Sequence, residues 1–239
     1  TGQLERDVDR LVRNDRIAFG SSMVACKDAD AMVTGNIRHY AASVEKLKHV
    51  CDARKGEPIF GMTMIIFKGR TVLVADTNVE DFPSSERLVE ISKSCVRVSK
   101  LFGFDPKVAF LSHSTFGKPI SRNTKHVRDA IEILKEEKVD FDFDGEMQPD
   151  VALNPIYQDI YPFSKIVGKA NILIMPALHS AAISTKLMKS FGGAKLIGPL
   201  LIGLDLPIEV APLRSSTSDI LNLASIAAYS ADVIDYNKD

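Results

Sequence analysis

The chain has 239 residues, of which 45% are hydrophobic and 26% are charged, a composition typical of a globular protein with one large core or two modest ones. Its formal net charge is −1 and neither sign forms a long run, which disfavours nucleic acid and an anionic membrane surface as partners. No apolar segment approaches the roughly 18 residues that span a bilayer, and three widely spaced cysteines indicate a reducing compartment, so we expect a cytoplasmic protein.

Helical and strand patterns alternate along the whole chain. Apolar residues spaced by three or four positions predict helices, and short apolar runs predict strands. Gly20 is placed to end the first helix, and the turn 68–70 lies between two strand patterns, which predicts a β-hairpin. In chain order we predict helix 3–19, a short strand ending at Gly35, helix 36–51, strands 59–67 and 71–76, helix 83–102, strand 108–112, helix 122–137, strand 141–144, strand 172–175, a helix ending near 192–193, strand 196–204 and helix 216–231.

Segment 170–203 is the most informative part of the sequence. Residues 172–175 form an uninterrupted apolar run of strand length, and Pro176 ends it. Such a run is typical of a central strand in a parallel sheet, and a second buried strand follows the next helix. The alternation of strands and helices therefore predicts an α/β sandwich with a largely parallel sheet. The polar segment 52–58, which contains Gly and Pro, is the strongest candidate for a domain boundary.

Three loops are candidate ligand sites. In open α/β sheets, ligands bind beyond the carboxyl ends of strands, where loops and helix N-termini offer free backbone N–H groups. Each loop also has a plainer interpretation, in which its Ser and Thr residues only cap helices. The candidate residues are Thr34 and Gly35, with Arg38 and His39 one turn later as anion contacts; Ser112, Ser114 and Thr115, followed by Gly117; and Ser215, Ser216 and Asp219.

Other chemical signals in the sequence are weak. The histidines lack metal-ligand spacing, so we expect surface or hydrogen-bonded residues and no metal site. The chain has no GxGxxG, P-loop or GxSxG motif, so it predicts neither a dinucleotide site nor a nucleoside triphosphatase. Three neighbouring carboxylates are interpreted as a solvated turn, because Gly145 and Pro149 lie among them. The histidines are His39, His113 and His179, and the carboxylates are Asp144, Glu146 and Asp150.

Six sequence blocks occur in the order found in the phosphate acetyl/butyryltransferase family, which the chain resembles. Variants at 144–155, 161–163 and 175–184 are similar to those of the C-terminal phosphotransacetylase-like domain of bacterial NADP-dependent malic enzymes. The blocks are ADAMVTG (29–35), VADTNV (74–79), PKVAFLSHSTFG (106–117), DGEMQPDVALNP (144–155), segment 170–203 and SDILNLASIAAY (218–229).

The resemblance implies a fold beyond what periodicity predicts. It implies a three-layer α/β/α sandwich with two subdomains, like that of isocitrate and isopropylmalate dehydrogenases, whose last helix crosses back to the first domain. We therefore expect domain I at 1–54 plus 205–239 and domain II at 55–204. The family's domain starts upstream of the first block, so domain I is expected to be N-terminally truncated and the chain to be a fragment.

The resemblance also implies a chemistry, the transfer of an acetyl group between phosphate and coenzyme A. There a carboxylate removes the thiol proton while cations hold the phosphate. Active members carry Ser-Arg-Gly shortly before an Asp at the start of the last helix. That Asp matches Asp219, but Pro212, Leu213 and Arg214 stand where Ser, Arg and Gly are expected. A second expected arginine falls on or near Glu45.

These departures favour a non-catalytic domain. We expect it to hold no cofactor, to bind acetyl-CoA or CoA as a ligand at the three loops, and to pass that signal to an N-terminal malic-enzyme domain. An active phosphate acetyltransferase, with Asp219, Arg214 and Ser215 as catalytic candidates, is one alternative. A purely structural oligomerisation module is the other.

The closing helix predicts self-association. It is too apolar around its circumference for a helix with one face in water, and such surface is commonly buried by a two-fold partner. We therefore expect a homodimer with this helix at or beside the interface, as the family resemblance also implies. Its apolar residues include Ile220, Leu221, Leu223, Ala224, Ile226 and Ala227.

Overall fold

The computed structural model describes residues 5–76, 79–119 and 124–233, and the chain divides into two compact units. Unit 1 consists of Thr1–Ile59 and Gly198–Asp239, and unit 2 is the continuous segment Phe60–Ile197. The boundaries between the two units thus lie at 59/60 and 197/198. The sequence predicts these boundaries at 54/55 and 204/205. In chain order the elements are α1 (Glu5–Asn14), α2 (Arg16–Ala25), β1 (Met32–Gly35), α3 (Tyr40–Leu47), β2 (Phe60–Phe67), β3 (Arg70–Ala75), α4 (Ser85–Leu101), β4 (Lys107–Leu111), α5 (Lys125–Glu137), β5 (Asp142–Met147), α6 (Pro149–Leu153), a 3-10 helix (Pro155–Asp159), β6 (Ile172–Ile174), α7 (Leu178–Gly192), β7 (Lys195–Ile202), β8 (Ile208–Ala211) and α8 (Thr217–Val233).

The first predicted helix is in fact two helices, so the prediction that Gly20 ends it is wrong. Asp15 interrupts the run with an extended backbone, and its carboxylate accepts hydrogen bonds from the backbone N–H groups of Ile17 and Ala18, 2.9 and 3.4 Å away. This is an N-cap, which begins a new helix. Gly20 lies inside α2, where a Cβ atom would stand 2.9 Å from the sulfur of Met32. The glycine therefore allows α2 and β1 to approach closely.

Unit 2 is built on a mixed sheet. Its strand order is β5-β4-β6-β3-β2. The strand β6 pairs in parallel with β3 on one side and β4 on the other, which confirms that segment 172–175 is a central parallel strand. The antiparallel β2–β3 pair confirms the hairpin, and its two-residue turn has positive φ at both Lys68 and Gly69. The α/β prediction is therefore confirmed, and the narrower dehydrogenase-like class stays a prediction.

Helices of unit 2 pack on this sheet through apolar stripes. The helix α4 begins at the N-cap Ser84, whose hydroxyl accepts from the Arg87 N–H, and it contacts β3 and β6 while α5 contacts β4 and β5. A separate cluster joins buried strand residues such as Leu111 and Leu173 to Ala152 of α6 and Ala181 of α7. The alternation of side chains along each strand separates the residues that meet different helices.

The closing helix α8 is less buried than its composition predicts. Only Leu223 and Ala227 are buried, whereas Leu221 is 65% exposed and Tyr229 is 42% exposed. The strand that precedes it, β8, was not predicted from the sequence. Across the described ranges, no helix has both the length and the hydropathy needed to cross a bilayer.

Candidate functional site

In unit 1 the structure brings two of the predicted loops together. The parallel strands β1 and β8 end side by side, with Gly35 opposite Ala211. The backbone N–H of Asn36 donates to the Ala211 carbonyl (2.9 Å), and the N–H of Arg214 donates to the Asn36 carbonyl (3.1 Å). Thr34 and Gly35 therefore lie beside the loop that leads to Ser215. This is the carboxyl edge of a parallel strand pair, where α/β proteins commonly bind ligands.

Gly35 is required for this close approach. Its φ is +102°, and a Cβ atom at this position would lie 2.3 Å from the Ala211 carbonyl oxygen. No side chain fits at that distance. The side-chain oxygen of Asn36, the next residue, is buried and has no hydrogen-bond partner among the described residues. An unsatisfied buried acceptor is costly, so this oxygen is a candidate acceptor for a ligand donor.

The two candidate anion contacts after β1 are not equally available. The guanidinium of Arg38 donates to the Asp15 carboxylate at 3.0 Å, so it already has an anionic partner within unit 1. Burial opposes ionisation of Asp15, but hydrogen bonds from Arg38 and from two backbone N–H groups outweigh it and lower the pKa of that carboxyl. His39 precedes α3 at its N-cap position, where its exposed ring makes no capping hydrogen bond. Arg38 is therefore primarily a structural contact of α2.

The third loop holds its polar groups in a capping box. The Asp219 carboxylate accepts from the backbone N–H and the hydroxyl of Ser216 at 3.0 and 2.8 Å, and the Ser216 hydroxyl accepts from the Asp219 N–H at 3.2 Å. Ser215 donates its hydroxyl to the Pro212 carbonyl at 2.8 Å. Arg214 adopts a left-handed backbone with φ of 60° and is exposed. The plainer interpretation, helix capping, thus accounts for Ser216 and Asp219.

In unit 2 the loop after β4 is organised by Glu146 of β5, a residue that the sequence analysis assigned to a solvated turn. Its carboxylate accepts from the hydroxyl of Ser114 at 2.7 Å and from the backbone N–H of Gly117 at 3.2 Å. The guanidinium of Arg128 lies 3.3 Å from the same oxygen. Ser112 is hydrogen-bonded to Ser114 through their hydroxyls at 3.1 Å. Glu146 is therefore the centre of a buried polar network, and its second oxygen has no partner among the described residues.

The hydroxyls of this loop face inward. Ser112 and Thr115 are 7% and 8% exposed, and Ser114 is fully buried. The Thr115 hydroxyl accepts from the backbone N–H of Gln148, whose side chain also donates to the His113 carbonyl at 2.6 Å. The hydroxyls therefore fix the shape of the loop, while the side chains of His113 and Lys118 are exposed.

The interpretation of the carboxylates as a solvated turn is wrong for two of the three. Asp144 and Glu146 lie on β5 and are 8% and 1% exposed. Asp144 accepts from the backbone N–H of Lys165 at 2.7 Å, which ties the strand to a following loop. Gly145 does not make a turn: a Cβ atom there would lie 2.7 Å from the Phe110 carbonyl, so the glycine lets β5 approach β4. Asp150 is exposed, at the start of α6.

Three aromatic rings lie beside the loop after β4. The ring of Phe116 is centred 4.9 Å from that of Phe163 and 5.3 Å from that of Tyr161. Phe163 is 65% exposed. The predicted family variant at 161–163 thus packs against the candidate loop. His113 and His179 are exposed, and no group of three metal-ligating side chains occurs within the described residues.

Comparisons with known proteins agree with the sequence blocks. Residues 1–228 match the family model described as phosphate acetyl/butaryl transferase. An NADP-dependent malic enzyme of Rhizobium meliloti is 47% identical over 96% of this chain, and a phosphate acetyltransferase of Bacillus subtilis is 31% identical over 96% of it. The chain spans 30% of the malic enzyme's length and 72% of the transferase's.

Solved structures show the same likeness. A phosphotransacetylase from Streptococcus pyogenes superposes with a TM-score of 0.87 and 32% identity, covering 95% of this chain and 70% of that one. Because the family model matches almost the whole chain, and the strand edges and loops lie where the sequence blocks predict them, the chain belongs to the phosphate acetyl/butaryl transferase family.

Proposed function

We propose that this chain is a non-catalytic phosphotransacetylase-like domain that binds acetyl-CoA and regulates a malic enzyme in the cytoplasm. The 47% identity to the Rhizobium meliloti enzyme supports this assignment, as does the short share of that enzyme that the chain spans. In this proposal the oxidoreductase chemistry belongs to a separate N-terminal domain. The chain's own contribution is ligand binding and assembly.

The capping box at Asp219 is the observation that carries the non-catalytic part. A general base must be free to take the thiol proton of coenzyme A. Here one carboxylate oxygen accepts both hydrogen bonds from Ser216, and the preceding positions hold Pro212 and the 46%-exposed Leu213 where the family's polar groups are expected. Glu45, at or near the other expected arginine, is exposed on α3. The lost cations weaken catalysis, and the capping box gives Asp219 a structural role that requires no catalysis.

Asn36 supports ligand binding at the edge formed by β1 and β8. Its buried side-chain oxygen lacks a donor among the described residues, and the N-terminus of α8 follows the adjoining loop. The pantetheine arm of coenzyme A carries two amide N–H groups, which are donors of the required kind. Acetyl-CoA therefore offers a hydrogen-bond donor that fits Asn36 at this edge.

The binding experiment uses calorimetry with acetyl-CoA and the variant Asn36→Gly. Asn36 has φ of 67°, which glycine adopts readily, so the variant removes the acceptor and keeps the backbone. We expect affinity to fall about 3- to 10-fold, the worth of one hydrogen bond. Lys138→Gly is the matched control, since Lys138 also has positive φ (52°) but lies at the end of α5 in unit 2. Equal effects of the two variants would contradict the proposed site.

An active phosphate acetyltransferase is the second candidate, favoured by the 31% identity to the Bacillus subtilis enzyme over 72% of its length. Thiol release from acetyl-CoA and phosphate distinguishes the two. We expect turnover far below about 1 per second, the low end of ordinary enzymes. Turnover above that value, abolished by Asp219→Asn, would replace our proposal with this one and make Arg214 and Ser215 catalytic candidates.

Assembly as a homodimer through α8 is the remaining part of the proposal. The exposure of Leu221 and Tyr229 supports it, because large exposed apolar side chains on one helix favour a partner. Light scattering is expected to give twice the chain mass of 26.2 kDa. Leu221→Glu should lower that mass, while Lys48→Glu, an exposed change after α3 in the same unit, should leave it unchanged. A dimer that binds no acetyl-CoA would favour the structural oligomerisation module.

A further inference from the structure

The strand β8 holds an acidic residue among apolar ones. All four residues of β8 are buried, and Glu209 lies between Ile208 and Val210 with only 4% of its surface exposed. Its carboxylate accepts one hydrogen bond, from the backbone N–H of Leu201 at 2.9 Å. Within the ranges that the structure describes, Glu209 has no ion pair. A buried carboxylate without a cationic partner is costly in its charged form, so the neutral, protonated form is favoured here.

The elements packed against β8 bring no cation into hydrogen-bonding contact with Glu209. The strand β1 has no charged residue, and the helices α3 and α8 carry their charges at exposed or half-buried positions. Burial therefore dominates and raises the pKa of the Glu209 carboxyl to about 8, while the hydrogen bond from Leu201 lowers it in part. The titratable residues of these helices and of the connection to β8 are Tyr40, Glu45, Lys46, Asp205, Asp219, Tyr229 and Asp232.

Glu209 lies two residues before the ligand edge formed by β1 and β8. It pairs with Val33 of β1, and Ala211 pairs with Gly35 at the end of the same ladder. The Ala211 carbonyl accepts from the Asn36 N–H at 2.9 Å. Each strand has four residues, so only a short ladder holds the two together. A charge that draws Glu209 toward water therefore moves the strand that forms this edge.

The chain just before β8 is held by other contacts, which makes such a movement local. The Arg54 N–H donates to the Gly203 carbonyl at 2.9 Å, and the Asp205 N–H donates to the Asp52 carbonyl at 3.1 Å. The Asp205 carboxylate also accepts from the Asp52 N–H at 3.1 Å. None of these bonds involves Glu209. We therefore expect the movement to be confined to segment 206–216, which contains β8 and the loop before α8.

We propose that Glu209 makes the edge formed by β1 and β8 a proton-dependent switch, closed while the carboxyl is protonated and open once its proton has passed to water. In the closed form the carboxyl keeps its hydrogen bond from Leu201, and β8 pairs with β1. In the open form the carboxylate is hydrated and β8 leaves β1. A ligand of this edge is then bound more weakly at alkaline pH. That acetyl-CoA is this ligand rests on the proposed function, whereas the opening itself does not.

Amide hydrogen exchange between about pH 5 and pH 8 tests the switch. The protection factor, which corrects for faster intrinsic exchange at high pH, should fall about tenfold per pH unit at Leu201 and Asn36, because opening releases one proton. The Cys51 N–H at the end of α3 and the Leu73 N–H of unit 2 should keep their protection. Constant protection at Leu201 and Asn36 would overturn the proposal. An equal loss at Cys51 would also overturn it, since the whole of unit 1 would then unfold.

Variants of Glu209 identify the group that titrates. Glu209→Gln keeps an oxygen that can accept from Leu201, and Glu209→Met keeps the length of the side chain without a polar group. Neither residue titrates, so in whichever variant folds the Asn36 protection factor should stay constant within threefold across the pH range. Glu45→Gln is the matched control, an exposed change on a helix that contacts the same strand, and it should keep the native pH dependence. Native pH dependence in a Glu209 variant would refute the assignment.

Acetyl-CoA separates this inference from the proposed function. A ligand that binds only the closed form raises the protection factor of the Asn36 amide, by about tenfold at a concentration of ten times its dissociation constant. Calorimetry at pH 6 supplies that constant. If acetyl-CoA does not bind, or binds without protecting Asn36, the proposed ligand or its site is wrong. The pH dependence at Leu201 and Asn36, measured without ligand, confirms or overturns the switch in either case.

Discussion

Glu209 gives the sharpest prediction about stability. It lies on β8, is 4% exposed, and accepts one hydrogen bond, from the Leu201 N–H at 2.9 Å. Burial raises the pKa of its carboxyl to about 8, and the hydrogen bond from Leu201 offsets only part of that effect. In the unfolded chain the pKa is near 4.5. Between these values the folded state holds a proton that the unfolded state has released, so stability falls as pH rises from about 4.5 to about 8.

The expected size of this effect is about 5 kcal/mol, from a difference of roughly 3.5 pKa units at 1.36 kcal/mol each. Glu209→Gln is neutral at every pH and keeps an oxygen that can accept from Leu201. Urea unfolding followed by circular dichroism at several pH values is therefore expected to show the variant gaining stability over the native chain by that amount between pH 4.5 and 8. Glu45→Gln, at an exposed position of the same unit, is the control. A difference that stays constant across this pH range would refute the burial argument.

Two further substitutions test the strand edges. Gly35→Ala places a methyl group 2.3 Å from a carbonyl oxygen at φ of +102°, so we expect a loss of at least 3 kcal/mol, against about 1–2 kcal/mol for Gly56→Ala, which has positive φ but no atom within 4 Å. Equal losses in urea unfolding would show that steric approach to β8 is unimportant. Glu146→Gln removes the charge that faces Arg128 inside unit 2, and we expect a loss of about 2–3 kcal/mol. The exposed ion-pair control Glu132→Gln is expected to cost less than about 0.5 kcal/mol, and a similar value for Glu146→Gln would contradict the proposed network.

The sequence predicts elements well where a strong local signal marks them. Pro176 follows the apolar run 172–175 and ends it. Gly193 follows α7 and adopts a positive φ of 64°, so the proline and the glycine mark the two element ends in the sequence. The first helix shows the limit of this reasoning. The apolar spacing continues through Asp15, and the choice between an interior Asp and an N-cap depends on α2 packing beside β1, which the spacing does not encode.

The site was harder to predict because its main residues act across strands. Glycine is common in turns, but Gly145 lies in the strand β5, where its missing side chain allows β4 to approach closely. Because of this wrong assignment, the sequence analysis did not recognise Glu146 as a buried residue of the site. Its carboxylate accepts hydrogen bonds from Ser114 and Gly117, which lie on another loop. The short strand β8 was missed because Glu209 interrupts an already brief apolar run and its partner β1 is far away in the sequence.

The pairing of β1 with β8 also has a consequence for how the chain is made. Because unit 1 is assembled from both ends of the sequence, β1 emerges from the ribosome long before its partner. Synthesis at about 5–20 residues per second imposes a delay on the order of ten seconds or more. The continuous segment of unit 2 has time to fold during this interval, while β1 stays unpaired and open to wrong partners. A nascent chain stalled before Ile208 should therefore show a protected unit 2 and a protease-sensitive N-terminal region, and release of the last strand should protect both.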